Sequence, residues 1–500
     1  MFRRFTGIVS SQVLLPSKLQ VSTPRFIHYI SNKTDRRDFM LKSKFGPPIN
    51  RSMTELDRSF FKKEVSLLVA YFPEPRYLGN FVKSCKRDIL NLPSIKHIVN
   101  ISADKKGVLL REDIETLQES EEKLTQLAKD KIKEFGAIIQ PYTLELDYSF
   151  WKADDILRAV LPQELESDIP TGFAQAGHVA HLNLRDEFKP YGSLIGQVLI
   201  DKNGKVETVV DKVDSIDTKF RTFKMNVLAG RNDLEVEQSE SGCRFKFDFS
   251  KVYWNSRLNT EHERLIHQFQ PKEVVADVFA GVGPFAVPAG KKSVLVLAND
   301  LNPESYKYLK SNITLNKVDD FVKPFHLDGR EFIRDSPKLL LNWAETSKTV
   351  EKKKLVKRRK VEGATTSSST YEITKVDIPK YLTNYVMNLP DSALTFLDEF
   401  IGLYSRDPEV ERVVRSLSDF KLPTINVHCF EKYASDESPE PAMEELHKRV
   451  HARIVKLIDF EIPFESCKFH LVRKVAPTKP MFCVTFELPE EVAFKKTYST

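Results

Sequence analysis

A chain of 500 residues is too long for one compact hydrophobic core, so two to four domains are expected. Its hydrophobic share of 41% is that of a globular protein, and no run of ~18 apolar residues exists to form a spanning helix. Five scattered cysteines (Cys85, Cys243, Cys429, Cys467, Cys483), without a C-x-x-C pair, argue against a disulfide framework or a zinc site and for a reducing compartment. The net charge of +6 is unevenly spread: Met1–Asn50 carries +7 and Lys348–Val361 another +7, which leaves the remainder at −8. Contacts with nucleic acid must therefore come from local patches.

Along the chain, Met1–Thr34 holds Arg3, Arg4, Lys18, Arg25 and Lys33 and no acidic residue. An acid-free, Arg-bearing, Ser-rich start has the character of a mitochondrial transit peptide, so residues 1–40 are read as targeting or disordered sequence. The expected location is the mitochondrial matrix, with nuclear and cytoplasmic pools. Residues 41–140 read as a first small domain, with a charged helical pattern over Leu109–Phe135. Residues 141–250 read as a second small α/β domain. Strand patterns at Leu144–Tyr148 and Val179–Leu184 alternate there with helical ones at Trp151–Leu161 and Leu194–Ile200.

Residues 251–500 form the large domain. Strands are expected at Val274–Phe279, Val294–Asp300, Lys323–Asp328, Tyr385–Leu389 and Ile425–Phe430, with helical patterns between them. That rhythm predicts a doubly wound parallel sheet. A hairpin of Lys468–Val475 and Phe482–Leu488 would close one edge. Pro337–Thr374, with its Lys/Arg run and Ser367-Ser368-Ser369, reads as a disordered basic insertion.

The first strand of the large domain runs into Asp277-Val278-Phe279-Ala280-Gly281-Val282-Gly283-Pro284-Phe285. Gly281 and Gly283 let backbone approach a ligand that a Cβ would push away, and the spacing with Ala286 fits a dinucleotide fingerprint. The next strands end in Asp300, in Asp328-Gly329 and in Asn388-Leu389-Pro390. Asp300 suits a ribose diol, Asp328 an adenine amino group, and Asn388 a base N–H, all along the carboxyl edge of the sheet. Hydride transfer needs no polar group beside a nucleophilic ring nitrogen, whereas methyl transfer to a base does, so Asn388 favours the latter.

Five blocks together resemble the eukaryotic and archaeal tRNA (guanine-37-N1)-methyltransferase family. They are Phe220-Arg221-Thr222-Phe223 with Val227–Gly230, Val252–His262, Asp277–Phe285, Asn299–Pro303, and Met387–Pro390. The likeness runs from about Arg51 to the C-terminus, apart from the insertion, and is close to the fungal mitochondrial/nuclear enzyme. It implies a class I S-adenosylmethionine-dependent methyltransferase domain, Rossmann-like, preceded by two small tRNA-reading domains. It also implies monomeric action on tRNA without metal or membrane, supporting reading-frame maintenance and initiating wybutosine synthesis in phenylalanine tRNA. By motif, Glu261 is the general base, Arg221 stabilises guanine O6 and Asn388 positions the base. His262, Asp277, Gly281, Gly283, Asp300, Leu301, Asp328, Gly329 and Asn388 line the cofactor.

The chemistry is consistent with those roles. Guanine N1 is protonated near neutrality, and a carboxylate whose pKa burial has raised toward the working range can accept that proton. A fixed guanidinium then stabilises the charge developing on O6. The competing activities are aminocarboxypropyl transfer to a tricyclic tRNA base, a catalytically silent tRNA-binding role and NAD-dependent oxidoreduction.

Overall fold

The computed structural model describes residues 43–92, 95–213, 220, 224–359 and 368–496. Arg221 and the acid-free start therefore lie outside the described residues. Two compact units emerge, one from residues 43–49 and 59–151, the other from residues 50–58 and 152–496.

The first unit contains β1 (Lys63–Tyr71), α1 (Pro75–Ser84), β2 (Ile98–Asn100), β3 (Lys106–Leu109), α2 (Leu117–Lys123), α3 (Gln126–Glu134) and β4 (Ile138–Leu146). Its antiparallel sheet has the order β2-β3-β1-β4. Leu68, Ala70 and Phe72 of β1 and its exit share a core with Phe81, Ala128 and Phe135 from the helices. The single helical pattern expected here is two short helices. Thr125 starts the second by accepting from Ala128 N–H at 3.3 Å while donating its own hydroxyl to Asp88 at 2.7 Å.

The second unit begins with α4 (Ala153–Val160), then β5 (Ala174–Ala176), β6 (Val179–Leu182), α5 (Gly192–Lys202), β7 (Thr208–Val213) and β8 (Lys224–Gly230). These four strands form a mixed sheet in chain order. A hairpin of β9 (Glu235–Glu240) and β10 (Cys243–Asp248) follows, and then α6 (Asn259–Gln268). Ala176, Val179 and Val210 of the small sheet belong to the same buried cluster as Phe245, Phe247 and Val275. Packing therefore runs continuously across residue 250, where the sequence suggested a domain boundary.

The large sheet takes β11 (Val274–Asp277), α7 (Ala286–Lys291), β12 (Leu295–Asn299), α8 (Pro303–Asn316), β13 (Val322–Phe325) and α9 (Gly329–Ser347). The ribbon β14 (Thr349–Arg359) and β15 (Ser368–Asp377) intervenes before β16 (Asn384–Met387), α10 (Pro408–Ser416) and β17 (Thr424–Phe430). The chain then forms α11 (Met443–Ile458), β18 (Lys468–Ala476) and β19 (Lys479–Glu487). The strand order is β13-β12-β11-β16-β17-β19-β18, with β19 antiparallel to both neighbours and the first five strands parallel. The chain winds outward from β11 to β13 and returns to β16 beside β11. Such a switch point opens a crevice at the carboxyl ends of the strands. Every residue of β11 and β12 is buried, as a parallel strand covered on both faces requires.

The expectation of disorder over Pro337–Thr374 does not hold for the described residues. Helix α9 continues through Pro337, and β14 pairs antiparallel with β15. Pro337 cannot donate to the carbonyl of Ile333, four residues back, and the Ser336 hydroxyl donates to it instead at 2.9 Å. In the ribbon, Val350 and Val376 pair in register and are both buried, an apolar anchor that the charge run conceals in the sequence.

Two asparagines of α8 join the β9–β10 hairpin to the large domain. Asn316 accepts from Arg244 N–H at 3.0 Å and donates to Arg244 C=O at 2.7 Å, imitating a neighbouring strand. Asn312, wholly buried, accepts from Lys246 N–H at 2.8 Å and donates to Val282 C=O in the glycine loop at 3.1 Å. Asn312→Ala would leave both backbone groups unpaired. A stability loss of about 2–4 kcal/mol is expected, readable as a lowered denaturation midpoint; an unchanged midpoint would contradict this role for Asn312.

Candidate cofactor and nucleotide site

A cavity of about 350 Å³ opens at the ends of β11, β12, β13 and β16, within the range of small-ligand sites. Its floor is the glycine loop. Gly283 sits at φ +100°, and a Cβ there would lie 2.7 Å from Val287 Cγ2, so only glycine fits both the turn and the packing. Gly281 has φ +55° and donates its N–H to Asp300 Oδ2 at 2.8 Å. Asp300 Oδ1 accepts from Asn302 N–H at 2.9 Å. Burial raises the Asp300 pKa from the usual carboxylate value. Ser305 also hydrogen-bonds to Asp300, and the carboxylate keeps remaining acceptor capacity for a hydroxyl donor.

Asn299 clips the strand ends together. Its side chain donates to Val278 C=O at 3.2 Å and to Leu327 C=O at 3.1 Å, and accepts from Leu327 N–H at 2.9 Å. The next residues supply the apolar wall. Leu301 is 41% exposed, and Phe279 and Phe396 meet edge to face at 5.0 Å. Leu301, Phe279, Gly329 and Phe396 all line the cavity. Asp328 caps α9 through Arg330 N–H at 2.8 Å and stands at the cavity edge. An exposed leucine and two rings beside a hydrogen-bonding carboxylate suit a purine ring with an exocyclic amine.

Asn388 also lines the wall, and its side-chain oxygen is buried without a hydrogen-bond partner. An orphaned acceptor of this kind is costly unless a ligand donor completes it. On the opposite side stand Phe220, Tyr253, Trp254 and His262, and Arg473, Val475 and Met481 reach in from the terminal hairpin. His262 Nδ1 contacts Glu240 Oε1 at 2.5 Å and packs its ring edge on Phe285 at 4.7 Å.

Three expected site residues are absent from the cavity wall, the first being Gly283, which faces Val287 and Leu309. Asp277 is fully buried behind the loop, outside the cavity wall, and neither carboxylate oxygen has a partner. Burial, reinforced by the nearby Asp300 charge, pushes its pKa up to about 8. Glu261 is 2% exposed and is likewise absent from the wall. Arg264 donates to its two oxygens at 2.7 and 2.8 Å, and His428 Nε2 approaches Oε1 at 2.7 Å. Burial alone would raise the Glu261 pKa, the direction the sequence suggested. The Arg264 and His428 hydrogen bonds outweigh it and hold the carboxylate at about 2. The first helical turn places Glu261 correctly for a dipole contact, but the counter-ion on β17 was not visible from local spacing.

The sheet order with its reversed terminal hairpin, together with the glycine loop, an acidic end to the second strand and an orphaned asparagine, defines a class I methyltransferase of the S-adenosylmethionine-dependent type. Residues 236–362 match the family model described as the TRM5/TYW2 methyltransferase domain, and residues 153–233 match the TYW2 N-terminal domain. A tRNA (guanine(37)-N(1))-methyltransferase of Candida albicans is 59% identical over 460 residues, covering 91% of this chain and 100% of its own. That of Saccharomyces cerevisiae is 50% identical over 481 residues, covering 90% of this chain and 95% of its own. The chain belongs to the tRNA (guanine(37)-N(1))-methyltransferase family. Among solved structures, Trm5b of Pyrococcus abyssi matches with a TM-score of 0.53 at 23% identity, over 84% of this chain and 99% of that one. The structure described as the complex of aTrm5 and tRNALeu matches with the same TM-score at 17% identity, over 85% and 100%. These two likenesses concern the fold.

The buried Asp277 has a pH consequence. With its folded pKa near 8 and an unfolded value near 4, the native state binds more protons than the unfolded state between those limits. Stability is therefore full below about pH 4 for this group and is lost as pH rises through about 8. Asp277→Asn should flatten that decline, so the variant's denaturation midpoint gains on the parent between pH 6 and 9. Parallel pH profiles for the two proteins would refute the assignment.

Proposed function

We propose that this cavity binds S-adenosylmethionine together with the guanine at position 37 of tRNA, and that the protein methylates guanine N1. The observation that carries this reading is the orphaned Asn388 oxygen on the wall of a cavity whose other end is built for an adenosine. Curated relatives at 40–59% identity carry the corresponding name. When bound, S-adenosylmethionine supplies an electrophilic methyl group on a sulfonium, which is why no covalent enzyme intermediate is required.

The residues divide the work by position. Gly281 allows close backbone approach at the loop, Gly283 permits the turn that presents it, and Asp300 accepts from the ribose hydroxyls. Leu301 and Phe279 pack the adenine, and Asp328 accepts from its amino group. Asn388 accepts from a guanine N–H and holds the ring in line for transfer. Glu261 takes the N1 proton. Its pairs with Arg264 and His428 hold the carboxylate below the usual range, which suits acceptance of the proton late in the transfer. As N1 gains the methyl group its proton becomes strongly acidic, and a weak acceptor then suffices. We assign Arg221, the residue after cavity-lining Phe220 in sequence, to a hydrogen bond on guanine O6 that holds the ring.

The match of residues 153–233 to a TYW2 N-terminal domain keeps aminocarboxypropyl transfer as the alternative chemistry. Incubating unmodified tRNA with S-adenosylmethionine labelled either in the methyl or in the aminocarboxypropyl carbons separates the two. Label from the methyl carbon alone, mapped to guanine-37, is expected. Asn388→Ala and Glu261→Gln should each lower turnover by about 10²–10⁴-fold with tRNA affinity largely kept. Label at another base, or from the aminocarboxypropyl carbons, would overturn the reading.

A further inference from the structure

Glu261 is held from two directions by partners of different kinds. Arg264 lies one turn further along α6 and a quarter exposed, so it moves with the helix that carries Glu261. His428 is fully enclosed on β17 and belongs to the central sheet. In the parallel pairing of β16 with β17, Met387 stands opposite Val427. Asn388 and His428 each follow by one residue, so Asn388, just past the end of β16, stands beside His428 within β17. His428 Nε2 reaches Glu261 Oε1 at 2.7 Å, while its Nδ1 is buried without any partner. The ring's polar atoms meet Glu261 on one side, with Cys483, its register partner on β19, as the other polar neighbour. Its plane is fixed from the other side by Phe285 of the glycine-loop segment, 6.2 Å away between ring centroids.

We infer that His428 is a positioning residue for the transfer: it fixes the Glu261 carboxylate against the β16–β17 edge that carries Asn388, so that proton acceptor and base-orienting amide share one rigid reference. This rests on Glu261 as the acceptor of the N1 proton. Without His428, Glu261 would keep Arg264 of its own helix and only the longer 3.5 Å approach of His470 on the edge strand β18, and small rotations of α6 would separate it from Asn388. A misplacement of about 1 Å can cost on the order of 10²-fold in rate.

Other charged and titratable groups face this pair. They are Arg264 on α6, Cys483 on β19, which is the register partner of His428, and His470 on β18, whose Nε2 lies 3.5 Å from Glu261 Oε2. Asp277, at the end of β11, acts on His428 at longer range. With the His428 donor and charge removed, Arg264 remains, so Glu261 stays anionic at neutral pH but loses part of what keeps its proton affinity low.

The test is single-turnover methyl transfer to tRNA by the full chain, under saturating S-adenosylmethionine, across pH, for His428→Ala, His428→Gln and Glu261→Gln. His428→Ala should lose at least tenfold in rate and move the acid limb of the profile to higher pH, with KM for both substrates within about twofold. His428→Gln keeps a neutral N–H donor, so it should recover most of the rate while retaining the displaced limb. It also carries the test should the alanine variant fail to fold. A folded His428→Ala with the parental rate and pH profile, beside an inactive Glu261→Gln, overturns the inference alone. A rate loss that glutamine does not restore and that leaves the pH profile unmoved marks a merely structural role and also overturns it. Parental activity in Glu261→Gln overturns the acceptor reading on which the inference rests.

Discussion

The site depends on one buried side chain that ties three strand ends together. Asn299 closes β12 by bonding both backbone groups of Leu327 and the carbonyl of Val278, while its own carbonyl accepts from Ala280 N–H at 2.7 Å. Backbone groups at strand ends would otherwise be orphaned in a place where water is largely excluded, each costing about 1–3 kcal/mol. The amide fits because it offers two donors and an acceptor in one plane, which neither an aspartate nor an aliphatic residue does. With those ends fixed, Gly281 meets Asp300, the loop takes its left-handed turns, and the cavity acquires its floor.

Electrostatics in the surroundings follow from pairing rather than from burial alone. Asp277 and Glu261 are both carboxyls in the interior of the same unit, yet their proton affinities move in opposite directions. Asp277 has no cationic partner on either oxygen and is pushed up to about 8, whereas Glu261, with a bidentate arginine and a histidine, is held at about 2. A buried charge without a partner neutralises itself, and one with two partners does not. For Glu261 the consequence is that its pairs keep it ionised in the interior.

Much of the fold was legible because parallel strands buried on both faces read as apolar runs. The five expected parallel strands and the closing hairpin fall within a few residues of those observed. The cavity-lining residues at strand ends were legible for the same reason, since Asp300, Asp328, Gly329 and Asn388 follow directly from where strands stop. What escaped was set by partners distant in sequence. The lowered Glu261 pKa owes something to its local partner Arg264 and the rest to His428, 167 residues away, and the ordered ribbon depends on Val350 meeting Val376 across a run of charge. The wall formed by Arg473, Val475 and Met481 exists only because the last hairpin folds back across the sheet. The continuity of the small sheet's core with the large domain is likewise a property of packing, with no mark in composition.

The central claim is that the Asn299 clip shapes the donor end of the cavity. The measurement that tests it most directly is calorimetric titration of S-adenosylmethionine into folded Asn299→Ala, beside the parent protein, with tRNA affinity measured in parallel. The account predicts at least tenfold weaker binding of S-adenosylmethionine, about 1.4 kcal/mol, with tRNA affinity little changed. Undiminished affinity for S-adenosylmethionine in the variant would contradict it.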